Sequence, residues 1–543
     1  MGKDYINKRL VVGGVIISIL FSTMVMKLSN IQLLKHEEYI NLALRQRSKE
    51  IVIDRPRGYI FDKNLIPLTN KSTTWTLLVP KILVKNDNDL YSKVLENTNL
   101  SYLDMEELLE KEDFILEIPL DKSFNTSNYS NVFMMKKINR YDPDNILSHV
   151  IGYINKIDNS GKSGLELTQN EFLQYKSKRT LLVEYDDKQS LLIGAKVVDH
   201  RREPTEPTSI VTTIDVDIQR QVEKIMDKYS INGSVIITDI QRANILAMAS
   251  RPNIDQDHIY NYLENDDMSL YNRAVQIGYP PGSIFKIVVL LAALESDEEY
   301  INKEFFCRGF EEINSVKTNC SSAHGLINLK EAFSLSCNST FIQIGREVGS
   351  EKIINMARRL NFGEKINIGL IEEIAGNLPT KEESIGAAIA NISIGQGEIL
   401  VTPLQISNLL MTILNMGTQK HIKLIEGISN DEGDIIKYMN IDEDKQVLDE
   451  SHTNIIYEYL LDVVRNGTGK GINLDKEGSA GGKTGSAEAI LKGKETVHGW
   501  FTGFYPATHP KYVITVLVED GMSGSKSAAL VFEDICIYLS NNK

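Results

Sequence analysis

The stretch from residue 279 to residue 294 carries the clearest chemical signal in the sequence. Two prolines and a glycine form a turn, Ser283 stands at the start of a helix, and Lys286 follows on the same helix face. Lys286 is the only charged residue between Ser283 and Glu295. Because burial favours the uncharged amine, such a lysine is a general base for a neighbouring hydroxyl. In one interpretation Ser283 is a nucleophile, and the helix N-terminus favours the negative charge that develops there.

A serine followed three residues later by a lysine also occurs in ordinary capped helices with a snorkelling lysine, so the pattern alone identifies no site. Two further tripeptides change this interpretation. Ser-Cys-Asn begins at Ser336, 53 residues after Ser283, and Lys-Thr-Gly begins at Lys483, 147 residues after Ser336. Acyl transfer needs a nucleophile, a base, a proton relay, a carboxylate anchor and an oxyanion hole. The three groups, in this order, provide candidates for these roles.

Together these motifs resemble those of penicillin-binding protein transpeptidases and serine β-lactamases. Six further stretches narrow the resemblance to the monofunctional class B penicillin-binding proteins. They are residues 55–64, 149–154, 163–173, 212–223, 245–255 and 498–507. The resemblance covers nearly the whole chain. One departure is the Arg-Ala-Asn turn at 242–244, where the family usually has Thr-Gly.

The resemblance implies a role for each residue that matches the catalytic motifs. Ser283 is expected to be the acylated nucleophile and Lys286 its base. Ser336, with Asn338 and Lys286, is expected to relay the proton to the departing D-alanine. Lys483 is expected to set the electrostatic potential of the cleft.

The third motif is expected to bind the substrate. The resemblance implies that Thr484 contacts the substrate carboxylate, and that Gly485, without a side chain, lets the donor peptide lie along the strand. The backbone N–H groups of Ser283 and Ser486 are expected to form the oxyanion hole. A Gly-Gln-Gly stretch at 395–397 is expected to shape the floor near the cleft, although it also fits a plain turn.

Three of the four cysteines fall close to a histidine, within 31 residues that include the second motif. Cys307, Cys320, His324 and Cys337 are candidate zinc ligands, although their spacing is not that of a standard zinc finger. Zinc here would brace the loop that carries Ser336. The alternatives are a disulfide between Cys307 and Cys320, or simple burial of Cys337 as a small side chain.

The elements that position these residues are predicted to form an α+β domain. Strands are predicted at 209–215, 233–252, 498–507 and 511–519, and helices at 216–230 and 527–540. Because strands lie at both ends with helices between them, the first and last strands are expected to share one sheet. The resemblance implies the penicillin-binding protein and serine β-lactamase-like fold, with an N-terminal mixed α/β pedestal and a single transmembrane helix.

The chain is predicted to comprise a cytoplasmic tail (1–9), a transmembrane anchor (10–27), a pedestal (28–205) and a transpeptidase domain (206–543). A stalk helix is expected from 28 to about 48, and a charged, proline-containing linker at 201–208. Residues 10–26 are uncharged, and as a helix they would be about 25 Å long, which is near the lower limit for crossing a membrane. The alternative is a cleaved signal peptide, but no small-residue cleavage pattern follows. The family resemblance implies a cytoplasmic N-terminus and an extracytoplasmic body.

Composition excludes several classes of protein. The 543 residues carry 59 basic and 73 acidic side chains, a net charge of −14, which argues against a nucleic-acid partner. Four cysteines are too few for a disulfide-dense scaffold. A hydrophobic content of 42% is ordinary for folded domains.

The leading functional hypothesis is a peptidoglycan D,D-transpeptidase that cross-links stem peptides and that β-lactams acylate, with no cofactor required for catalysis. The alternatives are a membrane-anchored β-lactamase and a β-lactam sensor or assembly scaffold. The resemblance also implies a polytopic membrane glycosyltransferase as partner. The sequence does not choose among septation, elongation and spore formation.

Overall fold

The computed structural model describes residues 3–36, 39, 48–110, 115–129, 131–174, 178–184, 196–200, 208–265, 267–439, 443–474, 478–491 and 493–541. The chain forms two compact units. The first comprises 1–56, 73–138 and 175–203, and the second 57–72, 139–174 and 204–543. Residues 57–72 and 139–174, which fall in the predicted pedestal, thus belong to the second unit. Residues 201–207 of the predicted linker lie outside the described residues.

The helices and strands are numbered along the chain. The helices are α1 (Lys3–Ser29), α2 (Lys81–Asn86), α3 (Asn88–Glu96), α4 (Tyr102–Glu110), α5 (Ser148–Ile151), α6 (Gly164–Thr168), α7 (Asn170–Leu173), α8 (Val216–Lys228), α9 (Lys286–Ser296), α10 (Leu329–Ser334), α11 (Asn338–Val348), α12 (Ser350–Arg359), α13 (Ala388–Ser393), α14 (Pro403–Leu414), α15 (Glu450–Arg465) and α16 (Ala528–Asn541). The strands are β1 (Ser48–Asp54), β2 (Ile60–Phe61), β3 (Ser72–Pro80), β4 (Ile115–Leu120), β5 (Phe133–Asn139), β6 (Ile154–Asn155), β7 (Ser160–Gly161), β8 (Lys178–Glu184), β9 (Lys196–His200), β10 (Ser209–Thr212), β11 (Gly233–Asp239), β12 (Ile245–Arg251), β13 (Glu304–Cys307), β14 (Phe310–Ile313), β15 (Val316–Asn319), β16 (Gly325–Asn328), β17 (Thr418–Gln419), β18 (Ile425–Ser429), β19 (Ile435–Tyr438), β20 (Lys445–Gln446), β21 (Gly481–Leu491), β22 (Lys494–Tyr505) and β23 (Tyr512–Val518).

The first unit begins with α1, whose side chains from Leu10 to Met26 are almost all exposed. Residues 6–34 form a helical segment long and apolar enough to cross a membrane. Of the predicted stalk helix, residues 30–34 form a π-helical turn, and most of 37–47 lies outside the described residues.

The rest of the first unit has two small sheets. One has the strand order β4-β3-β5 and the other the order β1-β8-β9. Helices α3 and α4 lie in the same unit, and each has buried apolar residues on one face. Their apolar faces join Leu77 and Val79 of β3 in one core.

The second unit is organised around a five-stranded antiparallel sheet of order β12-β11-β23-β22-β21. Gly233 of β11 pairs with Val518 of β23, which confirms that the strands predicted at 233–252 share a sheet with the last strand. The first predicted strand, at 209–215, instead forms β10 in a separate sheet, so the prediction was wrong for that strand. Alternation gives this sheet two apolar faces. On β11, Val235 and Ile237 pack with α8 and α16, whereas Ile236 packs with α9 and α14.

Helix α9 lies within the core of the second unit except for its last two residues, Glu295 and Ser296, which are exposed. Its residues from Lys286 to Leu294 are at most 3% exposed, because every side chain except the lysine is apolar. This confirms the prediction of a buried helix and fixes the surroundings of Lys286. A four-stranded sheet of order β19-β18-β10-β2 completes the unit, with β2 parallel to β10.

Candidate active site

The predicted nucleophile lies on a tight turn that leads into α9. Residues Gly282–Phe285 form a single 3₁₀ turn, and Ser283 is partly exposed on it. Gly282 has a φ of +54° and donates its N–H to the carbonyl of Gly395 over 2.9 Å. A side chain at Gly282 would lie 2.5 Å from the carbonyl oxygen of Ser486. Glycine is therefore required for this turn to lie between β21 and the 395 loop.

Lys286 lies one helical turn beyond Ser283 and is fully buried. Its Nζ donates to Ser336 O and Asn338 Oδ1, each over 2.7 Å, and to Ser336 Oγ over 3.2 Å. Burial lowers the pKa of this amine to about 8, while the Cys337 and Cys320 sulfurs act in the opposite direction. The neutral form of the amine is thus accessible near physiological pH.

A second buried lysine reaches the same hydroxyl. Lys483 on β21 donates its Nζ to Ser336 Oγ over 3.1 Å and to the carbonyl of Thr484 over 3.2 Å. Burial lowers its pKa well below the usual value, and the charge of Lys286 lowers it further. The first and third motifs therefore meet at Ser336. This serine has a left-handed backbone, with a φ of +56°.

Asn338 begins α11 and faces two ways. Its Oδ1 accepts from Lys286, and its Nδ2 donates to the carbonyl of Asn319 over 3.0 Å. The helix is capped by Cys337, whose Sγ accepts from the backbone N–H of Thr340 over 3.5 Å. Because Oδ1 accepts from Lys286 and Nδ2 donates to Asn319, the oxygen and nitrogen of this amide cannot exchange places, and Asn319 helps to fix the orientation of Asn338.

The residues of the Lys-Thr-Gly strand have separate environments. Thr484 is 6% exposed, and its Oγ1 lies 2.5 Å from the Oγ1 of Thr468. Ser486 is exposed, and its Oγ accepts from the N–H of Gly524 over 3.3 Å. A side chain on Gly485 would lie 3.1 Å from Pro281 O. The missing side chain at this position therefore makes room for the nucleophile turn.

Sequence reasoning missed two residues at this site, Thr468 and Trp500. Trp500 is fully buried on β22 and donates its Nε1–H to the carbonyl of Pro280 over 3.1 Å, which holds the turn before Ser283. Thr468 lies between two glycines, 13 residues before β21 begins at Gly481. This Gly-Thr-Gly stretch is the signal that points to Thr468. Trp500 falls in the 498–507 stretch that carries part of the family resemblance, but nothing in that stretch indicates its role.

The structure brings the four predicted metal ligands together. One ligand atom each from Cys307, Cys320, His324 and Cys337 lies within 4.8 Å of all the others. The sulfurs of Cys320 and Cys337 are 3.8 Å apart, and Cys320 Sγ is 3.6 Å from His324 Nδ1. Two sulfurs on one tetrahedral zinc lie about 3.8 Å apart, given bonds of about 2.3 Å. All four cysteines are free thiols in this structure, so it contains no disulfide between Cys307 and Cys320.

Residues 233–536 match the penicillin-binding protein transpeptidase domain family. The chain is 29% identical to stage V sporulation protein D of Bacillus subtilis, over 93% of this chain and 80% of that protein. It is 25% identical to the peptidoglycan D,D-transpeptidase MrdA of Acinetobacter baumannii, over 96% of this chain and 85% of that protein. A solved structure titled as the coordination of polymerization and crosslinking by a peptidoglycan synthase complex contains a similar chain. The TM-score is 0.71 at 23% identity, with 98% of this chain and 99% of that one covered.

Proposed function

The chain belongs to the penicillin-binding protein transpeptidases, as a class B member, and we propose that it is a peptidoglycan D,D-transpeptidase acylated at Ser283. One observation carries this proposal. Two buried lysines, Lys286 and Lys483, both donate to the hydroxyl of Ser336 beside the turn that presents Ser283. We propose that residues 206–543 form the transpeptidase domain and that 28–205 form a pedestal, of which 57–72 and 139–174 belong to the second compact unit.

In the first half-reaction, Ser283 Oγ bonds to the carbonyl carbon of the penultimate D-alanine as the peptide C–N bond breaks. The ammonium form of Lys286 can donate to all three of its partners, whereas the neutral form has two hydrogens and one lone pair. In the neutral form the two 2.7 Å bonds to Ser336 O and Asn338 Oδ1 use both hydrogens, so Lys286 no longer donates to Ser336 Oγ and its lone pair can take the Ser283 proton. Ser336 passes a proton to the departing D-alanine amine and regains one from Lys286. The products are an acyl-enzyme and free D-alanine.

In the second half-reaction, the amine of a neighbouring stem peptide attacks the ester carbonyl. The new amide C–N bond forms, the ester C–O bond breaks, and the amine proton returns to Ser283. We propose that the N–H groups of Ser283 and Ser486 stabilise the oxyanion in both steps. Lys483 and Thr484 bind the terminal carboxylate of the donor. The same residues act on β-lactams, which are acylating analogues of this substrate.

The alternative of a β-lactamase requires rapid hydrolysis of the acyl-enzyme. Class A β-lactamases deacylate with a glutamate that activates water. In the part of the chain that the structure describes, the hydrogen-bond partners of the Lys286 and Lys483 amines belong to Ser336, Asn338 and Thr484, and none of them is a carboxylate. We therefore expect a long-lived penicillin adduct.

Labelling with a fluorescent penicillin tests the proposal. The wild-type chain is expected to label with one adduct that persists for many minutes, and Ser283→Ala to give no label. Ser283→Ala mixed with D-Ala-D-Ala stem peptides should release no D-alanine, whereas the wild type should. Labelling of Ser283→Ala would exclude this nucleophile, and fast turnover of penicillin by the wild type would favour the β-lactamase.

We also propose that Cys307, Cys320, His324 and Cys337 bind a structural zinc ion. The support is the spacing of their ligand atoms and the donor set of three thiols and one imidazole. The hydrogen bond between Cys320 and Cys337 lowers the pKa of Cys320, which favours the thiolate that zinc binds. Cys337 lies between Ser336 and Asn338, and Asn319 accepts from Asn338. Zinc would therefore brace the second motif, with no part in the bond changes.

Metal analysis of the purified full chain tests the zinc site. One zinc per chain is expected from a reducing preparation without chelators. His324→Ala is expected to lose zinc and to acylate more slowly, and Cys536→Ala, a buried thiol on α16, is the matched control that keeps both. A wild-type chain with no stoichiometric zinc would exclude the site.

We propose a single-pass membrane location, with the N-terminus cytoplasmic and the catalytic body outside. The support is the apolar segment 6–34 and the membrane association of class B proteins. A polytopic membrane glycosyltransferase is the proposed partner, supported by the likeness to a chain of a peptidoglycan synthase complex. Similarity to a stage V sporulation protein makes spore formation the first process to test, by following a tagged copy through division and sporulation.

A further inference from the structure

We propose that Thr468 positions the substrate carboxylate by fixing the direction of the Thr484 hydrogen bond. This inference rests on the proposed function, in which Thr484 donates to the carboxylate of the donor peptide or the β-lactam. It adds a residue outside the three motifs. The observation behind it is the 2.5 Å separation of the two threonine hydroxyl oxygens.

The turn that carries Thr468 is held at both ends. The N–H of Thr468 donates to the carbonyl of Ser334 over 3.0 Å, and the N–H of Gly469 donates to the carbonyl of Val463 over 2.9 Å. A side chain on Gly467 would lie 2.2 Å from Ser334 O, so only glycine allows this approach. The hydroxyl of Thr468 is thus delivered to Thr484 by a constrained backbone rather than by a mobile loop.

Counting protons gives the direction of the hydrogen bond. Each threonine hydroxyl has one hydrogen and two lone pairs. If Thr484 donates its hydrogen to a carboxylate, it has none left for Thr468, so Thr468 must be the donor between them. The opposite direction would turn the Thr484 lone pairs toward the anion, which is repulsive. A chain of two donors that ends on an anion is also strengthened by mutual polarisation.

The same turn connects the carboxylate anchor to the proton relay. Ser334, which accepts from the Thr468 N–H, is the last residue of α10 and lies two residues before Ser336. The side chain of Ser334 donates to Asp462 on α15, the helix that precedes the turn. Replacing the Thr468 side chain is therefore expected to weaken carboxylate binding more than it disturbs Ser336. The backbone of Thr468 keeps its hydrogen bond to Ser334, which is itself held by Asp462.

The test compares two substitutions of Thr468, and Thr484→Val as the reference variant, with two ligands. Thr468→Val keeps the shape and removes the hydroxyl, and Thr468→Ser keeps the hydroxyl. The ligands are benzylpenicillin, which carries the carboxylate, and its methyl ester, which does not. For each pair the second-order acylation rate constant is measured on the full chain, together with the thermal midpoint.

Thr468→Val is expected to lower the rate constant for benzylpenicillin by about ten-fold or more, since a hydrogen bond to a charged group is at stake. Most of the loss should fall in the binding constant rather than in the acylation step. Thr468→Ser should stay within about three-fold of wild type. The ester should react slowly with every variant and show no difference between Thr468→Val and wild type.

Several outcomes would overturn the inference. An equal loss for penicillin and ester would mean that Thr468 only supports the fold. A loss with Thr484→Val but none with Thr468→Val would leave the proposed function intact and reject the role of Thr468. If Thr484→Val and Thr468→Val both label as fast as the wild type, the carboxylate role of Thr484 is rejected as well. Labelling of Ser283→Ala would reject the proposed function independently.

Discussion

Replacing Gly395 with alanine is expected to slow acylation at Ser283 without removing any catalytic group. A methyl group at this position would lie 2.2 Å from the carbonyl oxygen of Gly282 and 2.7 Å from Phe285 Cβ. An ordinary contact needs about 3.3 Å, so the nucleophile turn must shift by about 1 Å. A displacement of this size in a reacting group costs about 100-fold in rate.

Gly397→Ala is the matched control, because it has the same backbone requirement without the contact. Gly395 and Gly397 have φ values of +70° and +77°, so alanine costs each about 1–2 kcal/mol of stability. A methyl group on Gly397 would have its nearest neighbour, Asn391 Cβ, at 3.4 Å, which is an ordinary contact. Both variants are therefore expected to lose this backbone contribution to stability, and Gly395→Ala to lose more because of its clash. Only Gly395→Ala is expected to lose acylation.

The assay is the second-order rate constant for a fluorescent penicillin, measured at a temperature where both variants are folded by circular dichroism. The expected result is a rate about 100-fold below wild type for Gly395→Ala and within about three-fold for Gly397→Ala. If the two variants acylate equally fast, the 395 loop does not control the position of Ser283. The close approach of Gly395 to Gly282 would then have no influence on the acylation rate.

Trp500→Phe leaves the buried carbonyl of Pro280 without its donor, and is expected to cost about 1–3 kcal/mol and to slow penicillin acylation; denaturant unfolding and labelling rates check this, and unchanged values for both would contradict it. Burial lowers the pKa of His149 to about 4, below the unfolded value of 6.5, so the unfolded state binds more protons between these pH values. The contribution of neutral His149 to the free energy of unfolding is therefore fully present well above pH 6.5 and falls by about 2 kcal/mol at pH 5. Urea unfolding of His149→Gln should not show this loss. Glu166→Gln leaves two buried arginines, Arg57 and Arg140, without a carboxylate, and is expected to cost about 3 kcal/mol or more; a variant that unfolds at the wild-type urea concentration would refute this.

The sequence predicted the sheet and the catalytic motifs because both have local signatures. The sequence predicted strands at 233–252 and 511–519, where the structure has β11, β12 and β23, and an apolar run interrupted only by Lys286 predicted α9. The motif spacing was sufficient to expect Lys286, Ser336 and Lys483 in one site, and the structure places them within hydrogen-bonding distance. The sequence also showed three cysteines and a histidine within 31 residues, although it did not show that their ligand atoms lie close together.

The remaining features depend on contacts between distant segments. Nothing near Trp500 in the sequence indicates that its indole donates to Pro280, since the partners lie on separate elements. The two-residue strand β2 joins the second unit by parallel pairing with β10, and a segment this short has no period to read. Gly485 was expected to accommodate the donor peptide, yet its missing side chain faces the nucleophile turn, a contact that appears only when strand and turn are packed together.

The order of strands in the five-stranded sheet has a consequence for the time course of folding. β11 lies between β12 and β23, and its pairing with β23, from Gly233 with Val518 to Asp239 with Tyr512, joins chain segments that emerge far apart during synthesis. Contacts of such long sequence separation form slowly. β21, which carries Lys483, connects to the sheet only through β22 and then β23. A growing chain therefore cannot bind penicillin until its last strand is made, and pulse-labelled chains should gain the ability to react with penicillin only after full-length synthesis.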